Sequence, residues 1–385
     1  MVTAVQPRHG SPEPALFSPE PAHVTAVALP RLPSVRHLGP NWYAPVMGTA
    51  AVASAGVALP GEAPGLRAAC TGVWALSTVL LALVLAARTA HWVHHRHQAR
   101  AHLLDPAMAP FYGCLSMALL AVGVATLTAG RTVIGEGPAL AGAFVLYGAG
   151  TAVGLVAAVV VPYLMVVRHR IRPGSASPVW LLPVVAPMVS AAFGPLLVPY
   201  LPPGQWRESL LLASYAMFAL SLLATLLILP VVFARLAHHG PLPLALTPAL
   251  FLVLGPLGQS TTAVNKLADA APGAIGAPYV TGLGALAVVY GVPVMGFALL
   301  WLALAAAMVL RAARHGMPFT MGWWAFTFPV GTCVTGAESL ARHTGLVAYD
   351  WLAVALYTFL VAAWAVAGAL TLRGLLRREL LAAPR

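Results

Sequence analysis

Charge is what this sequence has least of. Its 385 residues include only 10 Asp or Glu and 21 Lys or Arg, and Lys266 is the single lysine. Charged residues make up 8% of the chain, against roughly 25% in a soluble domain, whose surface must be solvated. So little charge cannot coat a water-facing globule of this size. Cysteine is scarce too. Cys70, Cys114 and Cys333 fall in apolar stretches with no partner at metal-ligand spacing, which excludes a disulfide framework and a thiolate metal centre. They read as small packing residues.

The acidic shortage also bears on mechanism. No Asp, Glu, Lys or Arg lies near the centre of any long apolar segment. Pumps and proton-coupled carriers rely on buried titratable relays, and membrane-embedded acid–base catalysis relies on paired carboxylates. Neither is legible here, so the chain is not expected to be an enzyme, and no cofactor or metal is expected.

What the chain does have is apolar sequence, at 60% of all residues. Residues 1–40 are rich in proline and carry no apolar run of spanning length. They read as a disordered cytoplasmic tail without a cleaved signal peptide. From Trp42 onward, apolar segments cover about 42–59, 68–87, 111–129, 138–167, 179–201, 210–234, 244–264, 278–310, 319–337 and 351–372. Each is near or above the roughly 17–25 residues that cross a bilayer as a helix. Their length and lack of period-2 alternation exclude a β-barrel. The expected organisation is all-α: a tail over 1–40, a ten-helix membrane domain over 41–375 and a short basic tail over 376–385.

Charge distribution sets the topology. Sixteen of the 21 basic residues fall in the termini and the connections from even to odd segments. The other five, Arg67, Arg131, Arg207, Lys266 and Arg342, fall in the odd-to-even connections. The positive-inside rule then puts both termini in the cytoplasm. It also accounts for the net charge of +11 without a nucleic-acid partner, because the basic residues are scattered over loops.

The odd segments differ from the even ones. They concentrate internal prolines (Pro45, Pro183, Pro187, Pro195, Pro256, Pro329) and mid-segment glycines such as Gly48, Gly123, Gly258 and Gly331. Even segments at 68–87, 210–234 and 351–372 are smoother runs of Leu, Ala and Val. Proline removes a backbone hydrogen bond and kinks a helix, and freed carbonyls are tolerated in a membrane only inside a bundle or beside a water-filled cavity. The simplest arrangement is five helical hairpins, with the odd helices around a central pore and the even helices outside against lipid. The same glycines and prolines also suit ordinary close helix packing.

Four segments carry a family resemblance. They are Pro40-Asn41-Trp42-Tyr43-Ala44-Pro45-Val46-Met47-Gly48-Thr49, Phe111-Tyr112-Gly113, Leu254-Gly255-Pro256-Leu257-Gly258-Gln259-Ser260 and Trp323-Trp324-Ala325-Phe326-Thr327-Phe328-Pro329. In order and spacing, over about residues 40–375, the chain resembles the TehA tellurite-resistance and C4-dicarboxylate transporter family. That family includes yeast malate permeases and plant slow-type anion channels. The resemblance implies a homotrimer in the cell membrane, each protomer passing small inorganic or carboxylate anions through five inner helices. It implies a phenylalanine gate, which falls on Phe328, with Thr327 and Pro329 beside it. Phe326, two residues earlier, should face elsewhere.

The pattern is broken at Glu338, where a small or neutral residue is expected, and at Cys114-Leu115-Ser116-Met117, which lacks the expected prolines. Arg342, four residues on, is placed to offset Glu338. Gln259, Ser260, Thr261 and Thr262 form the most polar patch within a segment; they either coordinate a passing anion or bond between helices. Lys266 either attracts anions or snorkels to the interface beside Asp269. His91, His94, His95, His97 and His102 have pairs at helical spacing. They read as a basic cytoplasmic loop, with a metal-sensing or pH-responsive cluster as the alternative. Coupled carriage of a C4-dicarboxylate or tellurite is the alternative to a channel.

Overall fold

The computed structural model describes residues 35–61, 63–172 and 174–381. These residues are 86% helical with no strands. In chain order the helices are α1 (Tyr43–Ala58), α2 (Leu66–His94), α3 (Arg96–Leu104), α4 (Gly113–Ala125), α5 (Arg131–Ile134) and α6 (Glu136–Val167). Then follow α7 (Leu181–Leu197), α8 (Gln205–His239), α9 (Leu254–Ala270), α10 (Ala277–Arg314), α11 (Phe328–Thr344) and α12 (Val347–Leu376).

Two kinds of helix alternate, and burial separates them. In α6 and α10, only 22% of the most apolar stretch is buried, against 94% in the segment Pro178–Tyr200 that contains α7. The partly buried helices present one stripe inward. On α6 it is Ala139, Ala143, Gly150, Gly154, Ala157 and Val161, which recur at the three- and four-residue steps of one helix face. Its other faces expose Val156, Val159 and Val166. A row of bare valines and leucines costs free energy in water and none in hydrocarbon. Among the described residues, eight helical segments are long and apolar enough to cross a bilayer, so this is a multi-pass membrane protein.

The buried helices make a closed circuit: α1 packs on α4, α4 on α7, α7 on α9, α9 on α11, and α11 back on α1. Each also packs against the next long helix in the chain: α1 with α2, α4 with α6, α7 with α8, α9 with α10 and α11 with α12. The spans expected at 42–59 and 319–337 are shorter as regular helix, with 16 residues in α1 and 17 in α11. At about 1.5 Å per residue, α1 covers only about 24 Å. The missing length comes from 3-10 turns at the start of every buried helix: Pro40–Trp42, Ala109–Tyr112, Pro178–Trp180, Leu244–Val253 and Met321–Phe326. A 3-10 turn rises about 2.0 Å per residue, so a short segment reaches further. Pro40, Pro110 and Pro178 stand in the first or second position of their turns, where the missing N–H costs nothing.

The disordered tail expected over 1–40 needs correction at its end. Residues 1–34 lie outside the described part, but Val35–His37 forms a 3-10 turn and Leu38 is buried. Arg88, near the end of α2, is the cause. Its Nη1 donates to the Leu38 carbonyl at 2.6 Å, and its guanidinium sits 5.7 Å from the centre of the Tyr112 ring. Arg88 is itself 3% exposed, so it acts as a pin rather than a solvated loop charge. Arg88→Ala is expected to lower stability by about 1.5–3 kcal/mol, the range for a hydrogen bond to a charged group, read as a lower melting temperature in detergent. In the short basic tail over 376–385, residues 382–385 lie outside the described part.

Candidate functional site

Two cavities lie along the axis of the five buried helices. The wider holds ≈ 770 Å³, its open mouth included, and is lined by α1, α4, α7, α9 and α11 together with Thr128. Thr128 belongs to a π-helical turn, Thr126–Gly130, that continues α4. The narrower cavity, ≈ 270 Å³, is lined by Met47, Met117, Leu181, Leu182, Val185, Leu252, Gly255, Phe328 and Pro329. Among the described residues, Phe328 is the one that borders both cavities. Its ring is 5% exposed.

Local backbone puts the ring there. Thr327 has φ −100 and ψ −84, which breaks the path between the 3-10 turn Met321–Phe326 and α11. The Thr327 hydroxyl donates to the Trp324 carbonyl at 2.6 Å, and Pro329 has no N–H to offer the preceding turn. The break splits two adjacent aromatics. Phe328 enters the axis, whereas Phe326 packs edge-on against Phe251 at 4.8 Å and Trp323 at 5.8 Å between ring centres.

Of the residues singled out from sequence, Gln259, Thr262, Lys266, Phe328, Gly331 and Glu338 border the wider cavity, and Phe328 and Pro329 the narrower one. Others lie between helices. A Cβ on Gly48 would stand 2.2 Å from Thr327 Oγ1, and one on Gly258 would stand 2.5 Å from the Cys333 amide nitrogen. Those glycines let α1 and α9 approach α11. Ser260 donates to the Leu257 carbonyl at 3.0 Å. Pro187 and Pro256 are buried within α7 and α9. Pro45 borders a groove between α1, α2 and α12.

The wider cavity is also lined by residues the sequence reading did not assign, among them Ser54, Thr128, Phe193 and Thr335. A signal for them existed. The lining sets Ala51, Ser54, Ala58 and Phe328, Gly331, Thr332, Thr335, Glu338 each follow helical steps of three and four, so one fixed lining position predicts the rest.

Charges gather at this cavity's open end. Glu338 and Lys266 both line it. Glu338 Oε1 accepts from Arg342 Nε at 3.1 Å, the i+4 pair expected from sequence. Asp269 Oδ2 lies 3.7 Å from Lys266 Nζ and 3.6 Å from Arg342 Nη2, and Asp269 Oδ1 lies 3.4 Å from His343 Nε2. Two cations, Lys266 and Arg342, face two carboxylates, Asp269 and Glu338, so their formal charges balance.

The histidines are arranged differently from a metal site. His91 and His102 stack with rings 5.4 Å apart and 6° from parallel, and His95 lies 6.1 Å from His91. Among the described residues, no group of three or more His, Cys, Asp or Glu is disposed to hold a metal ion. Burial pushes the His102 imidazole below its ordinary pKa of 6.5, with Arg88 and His91 adding to the shift. The folded state therefore favours neutral His102. Its stabilising contribution is complete above the unfolded value and is lost as pH falls through the lower folded one. Melting temperature is expected to drop on acidification below about pH 6.5, and less steeply in His102→Gln.

Residues 37–372 match the family model described as SLAC1, voltage-dependent anion channel. The chain is similar to an uncharacterized transporter of Methanocaldococcus jannaschii, 26% identical over 87% of this chain and 93% of the relative. It is also similar to the sulfite efflux pump SSU1 of Trichophyton rubrum, 27% identical over 90% of this chain and 93% of the relative. The same pump of Arthroderma otae is 26% identical over equal shares. A match over most of the chain, joined to a closed circuit of buried helices around an axial cavity, makes this chain a member of the SLAC1 family of anion channels and transporters.

Proposed function

We propose that this protein passes small anions across the cell membrane through an apolar pore enclosed by α1, α4, α7, α9 and α11 and gated by Phe328. The observation that carries the reading is Phe328's position as the sole boundary residue, among the described residues, common to the two axial cavities. An aromatic ring in a narrow apolar lumen excludes water, and without water an ion cannot shed its charge energy. Gln259 and Pro329 line the conduit, Pro45, Pro187 and Pro256 shape its wall, and Gly48, Gly258, Ser260 and Thr327 set the spacing of its helices.

In this reading the ten membrane helices form five hairpins over 41–375, flanked by cytoplasmic tails over 1–40 and 376–385, and three protomers associate. The excess of arginine on one side of the parse supports cytoplasmic termini. Planar-bilayer recording with a panel of anions tests the proposal. A current reversing at the equilibrium potential of the permeant anion is the expected result, and its absence from reconstituted protein ends the channel reading.

The pump and transporter names of the relatives favour one second reading, a coupled carrier for an oxyanion such as sulfite or tellurite, or for a C4-dicarboxylate. A carrier gives saturable uptake that collapses with the proton gradient. Among the described residues, none around the narrower cavity is a titratable carboxylate, lysine, arginine or histidine, which weighs toward the channel.

A further inference from the structure

Histidine is spread unevenly along the chain. Of its 13 histidines, 12 fall in the N-terminal tail and the even-to-odd connections, and only His343 falls in an odd-to-even one. With the termini cytoplasmic, as proposed above, His343 is the one histidine on the outer side. It stands beside Arg342 in the last turn of α11, where the dipole of a helix favours a cation.

The His343 ring is held between two acceptors. Nδ1 lies 3.1 Å from the Ser339 carbonyl, one turn back, and Nε2 lies 3.4 Å from Asp269 Oδ1 on α9. A neutral imidazole has one N–H and donates to only one of them, whereas an imidazolium donates to both. The contact between α11 and α9 is therefore complete only with a second proton on the ring. The His343 side chain is 19% exposed and that of Asp269 40%, so water reaches the pair.

The charges around the ring stand in two tiers. Lys266 and Glu338 line the wider cavity, and Asp269 and Arg342 stand behind them. Asp350, in the first turn of α12, is a further carboxylate close enough to act on Glu338. Asp269 is the shared element: its Oδ1 faces His343, while its Oδ2 faces Lys266 and Arg342.

We infer that His343 is the external proton sensor of the pore: a proton bound there engages Asp269, weakens its hold on Lys266 and adds one positive charge to the mouth, so that anions enter faster from an acidic exterior. This rests on the proposed pore and supplies its regulation. Of the three cations that share Asp269, Lys266 is the one lining the cavity, so the charge that Asp269 ceases to cancel is presented directly to an entering anion. One added unit charge met at about 6 Å in water changes occupancy about threefold, and screening leaves it effective over about 10 Å at 0.1 M salt.

The test is nitrate current in outside-out patches from cells expressing the full chain with Phe328→Ala, so that entry rather than the ring limits the current. Nitrate keeps its charge at every pH used. Taking the outer side from about pH 7.5 to about pH 5.5, the span over which histidines change charge, is expected to raise the current carried by entering nitrate about threefold. Adding His343→Gln should leave the current at about pH 7.5 intact, which also shows that the protein is folded, and should abolish the rise. Adding Asp269→Asn instead removes the negative charge outright and should give, at about pH 7.5, the current its parent shows at about pH 5.5. A rise that persists with His343→Gln, a parent current that is flat or falls on outer acidification, or an Asp269→Asn current no higher than the parent's overturns the inference and leaves the pore reading intact. If the Phe328→Ala protein passes no anion at any pH, the pore reading fails instead, and this inference with it.

Discussion

Replacing Phe328 with alanine is expected to raise anion flux through reconstituted protein by tenfold or more. The ring is the shared wall of two cavities of ≈ 770 and ≈ 270 Å³, so its removal joins them into one water-accessible path. Each 1.36 kcal/mol taken off a barrier is a factor of ten in rate, and restoring water at the narrowest point removes more than that. The cost to folding is held down by the same geometry. Truncating a fully packed phenylalanine costs about 3–5 kcal/mol, but one side of this ring borders the wider cavity. Phe326→Ala is the matching control. Its ring lies against Phe251 and Trp323 and borders neither cavity, so it should lower the melting temperature without opening the pore. Equal fluxes from wild type and Phe328→Ala, with Phe328→Ala folded, would remove Phe328 from the gate.

The second large effect concerns Gly258. A Cβ at this position meets the Cys333 nitrogen at 2.5 Å and the Thr332 carbonyl carbon at 2.6 Å. Those atoms are backbone and cannot rotate away. Gly258→Val must push α9 off α11 or bend one of them, and overpacking of this kind costs about 1–3 kcal/mol or more. Thr262 spans the same contact, its hydroxyl 2.9 Å from that of Thr335, so separation also breaks a polar link. Melting in detergent should show a large loss for Gly258→Val. Gly282→Ala on α10 should show none, because no atom lies within 4 Å of the added carbon and alanine suits a helix better than glycine. A Gly258→Val protein as stable as wild type would contradict the close approach.

Much of this was legible in the sequence, for definite reasons. The apolar runs gave the long helices because lipid permits one continuous solution, a hydrogen-bonded helix. The contrast between proline-rich and smooth segments anticipated which helices are buried. The Glu338–Arg342 pair followed from helical spacing alone. The position of Phe328 between the two axial cavities was suggested by family resemblance rather than by any periodicity. Other features were hidden. The ten-residue 3-10 stretch Leu244–Val253 has no simple sequence signature. The π turn at Thr126–Gly130 is met by Trp74 in α2, whose indole nitrogen donates to Thr126 Oγ1 at 2.9 Å, a partner 52 residues away. The role of Arg88 was obscured for a similar reason: its acceptor is a main-chain carbonyl before α1, and backbone acceptors leave no mark on composition. Gly48 and Gly258 looked like pore residues because small size serves a lumen and a helix contact equally.

The modest length of α11 bears on how the chain enters its membrane. Its 17 residues carry Glu338, Arg342 and His343 toward their C-terminal end along with several threonines, and α11 is not among the eight segments long and apolar enough to span a bilayer by themselves. Such a segment is poorly retained by lipid when it leaves the ribosome by itself. Only Gly345 and Leu346 separate it from α12, whose 30 residues are strongly apolar, and Gly345 adopts the left-handed φ of 70 that the reversal needs. The pair is therefore expected to enter the bilayer as a unit, the greasy second arm escorting the polar first one.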